Sequence, residues 1–310
     1  MKNRLRSRCL YLLGTLLVFT FALAMSTEAS VKQTSIQASG IPISWDAEKP
    51  YGTLLGYKVM AGPDADHLTL AAELPASTLS YVVPAEGGSR LYIKVLYSTK
   101  SNLTGNVDEG LAGILPEGKT LPSAVTGVTP DGWLRYALVS YVKWNRVESA
   151  DGYEVIFRTV KGKKVKKETI TSRVERASLS KVKNTMTYTV RVRGYTTLNK
   201  QKFYGPWSEK CYLFTSPELK SASRSGAAIK LVWTPVSGAT GYDIYLSTRP
   251  DKGYKKVKTL KGGKKSSVTI TKFRSKAISP KKKYYAYVET RKKVGKRTYK
   301  SGSKYYLTVA

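Results

Sequence analysis

The sequence holds a single histidine, His67, in 310 residues. A hydrolase or transferase needs a positioned acid–base set, and one histidine supplies little of it. Cysteine is nearly as scarce. Cys9 lies in the N-terminal segment and Cys211 stands alone in the rest. With that segment removed there is no intramolecular disulfide, so stability rests on core burial. A lone thiol with no adjacent His reads as a small buried hydrophobe. Acids are few as well: 21 Asp and Glu face 53 Lys and Arg. No G-x-S-x-G, H-E-x-x-H, C-x-x-C or glycine-rich phosphate loop is present. Asp64, Asp66 and His67 in "GPDADHLTL" offer three ligands within four residues, with no partner motif elsewhere. A turn explains that stretch better than a metal site, so no metal and no cofactor are expected. In the last part of the chain a glycosidase pair would have to come from Glu218, Asp243, Asp251 and Glu289, whose positions scatter. The "NLT" at 102 matches a glycosylation acceptor, a pattern short enough to arise by chance.

What is present begins with a targeting pattern. "MKNRLRSR" is basic, "CLYLLGTLLVFTFALAM" is apolar, and "STEAS" offers small-residue cleavage after Ala29. Residues 1–29 are therefore read as a secretory signal, with an uncleaved membrane anchor as the competing reading. Cys9 precedes the apolar stretch and is no lipoprotein cysteine. The expected location is outside the cell, secreted or at the cell surface.

Beyond the signal the periods are those of strands. "AIKLVW" places Ile229, Leu231 and Trp233 on one face and Lys230 on the other. "SIQASGIPISW" and "LVSYVKW" end the same way, on Trp45 and Trp144. A second strand follows each: "GYKVMA" at 56, "GYEVIF" at 152 and "GYDIYL" at 241. A third follows later: "LYIKVLY" at 91, "YTVRVRGY" at 188 and "YYAYVET" at 284. Turn residues separate the runs. About seven short strands per unit predict an all-β chain of tandem sandwiches.

The order Trp-closed strand, turn, Gly-Tyr-x-Val or Ile, then Tyr-x-Val-x-Val resembles the fibronectin type III module, in the divergent form found in secreted bacterial proteins. The resemblance implies three immunoglobulin-like sandwiches after the signal: 30–122, 123–215 and 216–310. The first copy is the loosest, with Trp45 and Tyr57 set 12 apart and Leu91 where the others have Tyr188 and Tyr284. In the family that tyrosine packs at a corner and hydrogen-bonds backbone. Paired inter-sheet cysteines of immunoglobulin domains proper are missing. "PEGKTLPSAV" and "FTSPELKSAS" mark short junctions, predicting modules with limited bending and no shared core.

Charge is graded along the chain. The first unit (31–122) has 7 basic and 9 acidic residues, the second 18 and 7, the third 24 and 4. Folding does not require this; self-repulsion slightly opposes it. Three clusters fall where a sandwich exposes loops: Lys161, Lys163, Lys164, Lys166 and Lys167; Lys281, Lys282 and Lys283; Arg291, Lys292, Lys293, Lys296 and Arg297. These are the candidate polyanion-binding residues. Tyr285 and Tyr287 alternate away from Tyr284 and are candidate stacking rings, or else plain outer-face strand residues. Lys outnumbers Arg in the third unit, which favours diffuse attachment over sequence-specific nucleic acid readout. The last hairpin lacks the Arg-Gly-Asp integrin tripeptide.

The function expected is a non-catalytic binding or adhesion scaffold. Its basic modules would hold an anionic cell-wall or polysaccharide surface, with the near-neutral first module free for another extracellular protein. The alternatives are a passive spacer, and an enzyme with an unrecognised site in the first module.

Overall fold

The computed structural model describes residues 30–134, 139–171, 174–183, 185–301 and 307–309; residues 1–29, where the sequence predicts a signal, lie outside them. Every regular element among these residues is a strand. The first unit contains β1 (Lys32–Gln33), β2 (Ile41–Ser44), β3 (Thr53–Gly62), β4 (Thr69–Pro75), β5 (Ser80–Val83), β6 (Arg90–Lys100) and β7 (Val107–Lys119). They form two antiparallel sheets, β1-β2-β5 and β4-β3-β6-β7.

The second unit repeats the plan with β8 (Thr129–Leu134), β9 (Val139–Lys143), β10 (Gly152–Thr159), β11 (Lys164–Ile170), β12 (Arg176–Leu179), β13 (Thr187–Leu198), β14 (Gln201–Tyr204) and β15 (Cys211–Phe214). Its sheets are β12-β9-β8 and β11-β10-β13-β14, with β15 also on β13. The third contains β16 (Leu219–Ser225), β17 (Ala228–Trp233), β18 (Gly241–Ser247), β19 (Lys255–Lys261), β20 (Ser267–Ile270), β21 (Lys272–Phe273), β22 (Lys276–Ala277), β23 (Tyr284–Val294), β24 (Arg297–Lys300) and β25 (Leu307–Val309). Its sheets are β16-β17-β20 and β19-β18-β23-β24, with β25 on β23 and a small β21-β22 hairpin. The chain is thus all-β, three tandem sandwiches, as the strand periods predict.

Each sandwich has its own core of inward residues from both sheets. The Trp and Gly-Tyr positions lie at the centre of each. Trp45 meets Tyr57 at 5.4 Å between ring centroids, Trp144 meets Tyr153 at 5.2 Å, and Trp233 meets Tyr242 at 5.3 Å, all with steeply inclined planes. Each buried tyrosine satisfies its hydroxyl in the same way. The backbone N–H of Glu48, Val147 or Val236, three residues past the Trp, donates to Tyr57, Tyr153 or Tyr242 at 2.9–3.1 Å. The longer spacing in the first copy therefore lies in the loop beyond Glu48 and leaves the core pair intact.

The corner tyrosines also behave alike. The N–H of Lys183 donates to Tyr188 Oη at 3.1 Å, and that of Ser279 to Tyr284 Oη at 3.1 Å. Where the first copy has Leu91, a different hydroxyl serves. Thr120 is fully buried; its Oγ1 accepts from Ser89 N–H at 2.9 Å and donates to the Glu86 carbonyl at 2.9 Å. A short side chain from the end of the last strand replaces a long one from the strand beside it.

Polar contacts join successive sandwiches. Ser149, in the turn after Trp144, donates its N–H to the Gly88 carbonyl of the first unit at 3.0 Å. Ser237, in the turn after Trp233, donates to the Thr185 carbonyl of the second unit at 2.7 Å. The stretches "ESADG" and "SGATG" are thus both strand reversals and the surfaces on which the preceding module sits.

Candidate anion-binding surface

The first lysine cluster divides in two. Lys161, Lys163 and Lys164 are exposed around the turn between β10 and β11. Gly162 takes φ of +94° there, a conformation that admits glycine readily. Lys166 and Lys167 are engaged in structure. Lys166 Nζ meets Glu168 Oε2 at 2.7 Å, and Lys167 Nζ meets Glu154 Oε2 at 2.6 Å. Glu154 is 3% exposed and is held on its other oxygen by Arg193 at 2.7 Å. A buried carboxylate must be paired, and Lys167 is one of its two partners.

The second cluster, Lys281–Lys283, is exposed at the entry to β23. The third is mixed. Arg291 Nη1 lies 3.5 Å from Asp243 Oδ1, and Asp243 is 1% exposed. Lys292 Nζ lies 5.8 Å from the centroid of Tyr212 in the second unit. Lys293 and Lys296 are exposed. Arg297 stacks on Tyr299 at 4.7 Å and reaches back to the second unit. There it borders a hollow of about 310 Å³ with Val125, Gly127, Trp207 and Lys210. The Tyr299 hydroxyl donates to the Lys210 carbonyl at 3.4 Å, and its ring lies 5.1 Å from that of Tyr212.

The first and third clusters border one turn, Ser237–Thr240. A Cβ on Gly238 would sit 3.3 Å from Val160, the residue that opens the lysine turn. Thr240 donates its N–H to the Arg291 carbonyl at 2.8 Å and accepts from Lys293 N–H at 2.8 Å. The second cluster stands apart, at the turn held by the Tyr284 corner. The three predicted clusters therefore fall into two regions, one at the second joint and one at a turn of the third unit.

The candidate stacking rings need correction. Tyr287 does face away from the core, as alternation predicts, yet it is 4% exposed. Tyr245 stacks on it at 4.5 Å with planes 10° apart, and Tyr254 covers it at 5.2 Å. Neighbouring strands bring rings of their own to the outer face, so Tyr287 is no open platform. Tyr285 is half-buried.

Sequence reasoning missed Arg193, whose guanidinium lies 4.1 Å from the Tyr204 centroid and 4.5 Å from that of Trp207. The signal was "FYGPWS", two aromatics flanking a Gly-Pro break, but nothing in it points to an arginine on another strand. No group of three metal-ligating residues occurs among the described residues. Asp64 Oδ1 accepts from the N–H groups of Asp66 and His67, both at 3.0 Å, and lies 2.7 Å from His67 Nδ1. The cluster closes a turn.

No family model matches the chain. No curated protein matches it either. Among solved structures it is similar to the FN1–FN3 domains of chicken CNTN1, with 13% identity, 90% of this chain and 97% of that one covered, and a TM-score of 0.36. It is also similar to a two-domain fibronectin type III segment of chicken tenascin, with 13% identity, 60% and 98% covered, and a TM-score of 0.33.

Cys211 lies beside the joint and is buried. Burial pushes its thiol up to about 11, against the weaker opposing charge of Arg297. The thiolate is the reactive form. A thiol reagent at pH 7.5 is therefore expected to spare the peptide containing Cys211 in the folded protein and to label it fully after denaturation. Peptide mass spectrometry reads this; rapid labelling of native protein would contradict the buried placement.

Proposed function

We propose that the protein is a non-catalytic, extracellular attachment scaffold of three modules, 30–122, 123–215 and 216–310. Its second and third modules bind an anionic polymer surface, cell-wall polymer or acidic polysaccharide. One observation carries the reading. Of the third unit's four acids, two are engaged inside it, Asp243 by Arg291 and Lys300 and Glu289 by Lys300; Glu218 and Asp251 are exposed, far outnumbered by the exposed loop lysines. The surplus charge is therefore presented outward with little internal neutralisation. Lysine as a point charge on a flexible stem suits repeating anionic groups better than a single defined one. The N-terminal signal pattern supports export, and N-terminal sequencing of the mature protein tests it.

Retention of the protein on immobilised wall polymer or heparin should fall by roughly tenfold or more between about 0.05 and 0.2 M salt, because screening shortens the reach of exposed charges. Affinity columns run over a salt series measure this. Retention indifferent to salt, or none at low salt, overturns the reading.

A further inference from the structure

The second and third sandwiches differ at one sheet edge. In the second, edge strand β11 sets Lys166 opposite Phe157 and Glu168 opposite Val155. Lys166 reaches the Ser178 carbonyl on the other sheet at 2.9 Å and Glu168 at 2.7 Å. The open side of the sandwich is thus closed by a neutral pair, and its edge is guarded by inward charge. In the third sandwich the same register positions hold Lys255, opposite Leu246, and Lys258, opposite Ile244. The closing acid has become a lysine.

The connection that follows is also longer. Nine positions lead from Leu179 to Tyr188, but fourteen from Ile270 to Tyr284. The added length forms the β21–β22 hairpin. Its two-residue turn, Arg274–Ser275, has φ of 51° and 64°. A left-handed pair of this kind ordinarily calls for Gly or Asn, so Arg274 is held there against its backbone preference. Between this hairpin and β19 lies a cleft of about 750 Å³, lined by Lys255, Lys256, Val257, Lys272, Arg274 and Ser275. Arg274 also borders a smaller hollow of about 240 Å³ that includes Lys276 and Lys282. Among the described residues, no carboxylate and no aromatic ring lines the larger cleft.

We propose that this cleft is the principal anion site of the protein and takes a segment of a phosphodiester-linked chain. Four cations around one hollow, with no acid among them, match successive negative groups. Arg274 supplies the planar fork that binds a phosphate through two N–H groups, and the lysines supply point charges. Without a lining aromatic there is no platform for a sugar face, so phosphate is favoured over a ring-recognised uronic acid. The site rests on the attachment reading above and narrows it to one place.

The test compares two triple variants of the full chain, each losing three charges. One alters the cleft (Lys255→Gln, Lys256→Gln, Arg274→Gln); the other alters the turn of the second unit (Lys161→Gln, Lys163→Gln, Lys164→Gln). Binding of poly(glycerol phosphate) is measured at about 0.15 M salt, with hyaluronate as the carboxylate arm. The cleft variant is expected to lose roughly tenfold or more in affinity and the turn variant less than about threefold. Hyaluronate should bind the unaltered protein more weakly than the phosphate chain. Arg274→Gly guards against misfolding as a cause. Glycine accepts the left-handed turn, so this variant should melt at a higher temperature while binding more weakly. Equal losses in the two triple variants, unimpaired binding by Arg274→Gly, or preference for hyaluronate would overturn the cleft and leave charge-driven attachment standing. Absence of binding to either polymer by the unaltered protein would overturn both.

Discussion

Trp233→Ala is expected to destabilise the third sandwich strongly and leave the stability of the first two unchanged. Trp233 is 1% exposed and heads the fully buried side chains by volume among the described residues. Its ring packs against Tyr242, whose hydroxyl accepts from Val236 N–H at 2.9 Å and donates to the Gly263 carbonyl at 2.8 Å. Removing the indole strips the packing from Tyr242 and leaves a cavity that two sheets cannot collapse to fill. Trp→Ala in a core costs about 3–5 kcal/mol. A domain of this size has about 5–15 kcal/mol in all, so the loss is a large fraction of it. In a 60–100-residue domain each kcal/mol moves the midpoint by about 4–8 °C. One calorimetric transition should therefore fall by at least about 12 °C. Hydrogen exchange should assign that transition to 219–309 alone. The locality follows from the cores: no buried residue of the cluster around Trp233 belongs to the cluster around Trp144. A concerted drop of every transition would show the sandwiches to be energetically one body.

The same residues show what the sequence makes legible. Trp45, Trp144 and Trp233 close alternating stretches, and each Gly-Tyr follows at a turn's distance. Strand period and aromatic size together demand inward packing, and the structure has it. The first unit's departures from the pattern were visible but their meaning was not. Leu91 marks a missing hydroxyl, yet only the fold brings Thr120, 29 positions later in the chain, to the same backbone turn. Charge was legible in amount but poorly in use. "VKGKKVKKE" reads as five equivalent lysines. The strand pleat separates them: past the turn, Lys166 and Lys167 point to opposite faces and each finds an acid there. Tyr287 was placed on the correct face by alternation, which says nothing of what neighbouring strands lay over it. The cleft on the third unit is drawn from Lys255, Lys256 and Val257 and from Lys272, Arg274 and Ser275, which no contiguous motif links.

Asp151→Ala is expected to release the first sandwich from the second without unfolding either. Asp151 sits in the turn between Trp144 and Tyr153 and is the focus of the first joint. Its Oδ1 accepts from Lys119 Nζ at 2.8 Å and from Arg90 Nη2 at 3.2 Å, both from the first unit. Its Oδ2 accepts from the Thr197 N–H at 2.8 Å within its own unit. Arg90 also donates to the Glu148 carbonyl at 2.9 Å and pairs with Glu117. Arg90 and Lys119 are largely buried, so removing the carboxylate leaves two cations to share the half-exposed Glu117 as their remaining carboxylate partner among the described residues. Losing a charged hydrogen-bonding partner of this kind costs about 1.5–3 kcal/mol, here taken from the joint. Small-angle scattering should show a larger radius of gyration in the variant at neutral pH, while the melting transitions of the separate cores stay in place. Acid should act on the unaltered protein in the same direction. Burial alone would raise the pKa of Asp151, but the Lys119 hydrogen bond, the Thr197 N–H and the charges of Lys119 and Arg90 outweigh it and carry the group below its ordinary value. A depressed carboxylate lends its stability above its ordinary pKa near 3.8 and loses it as pH falls through the lowered one. The joint should therefore be intact from neutral pH down to the ordinary carboxylate range and open only below it. Asp151→Ala should be expanded throughout. If the variant and the unaltered protein scatter alike at pH 7, the first joint is held by the Ser149–Gly88 backbone bond and the packed linker, and the charges around Asp151 add nothing to it.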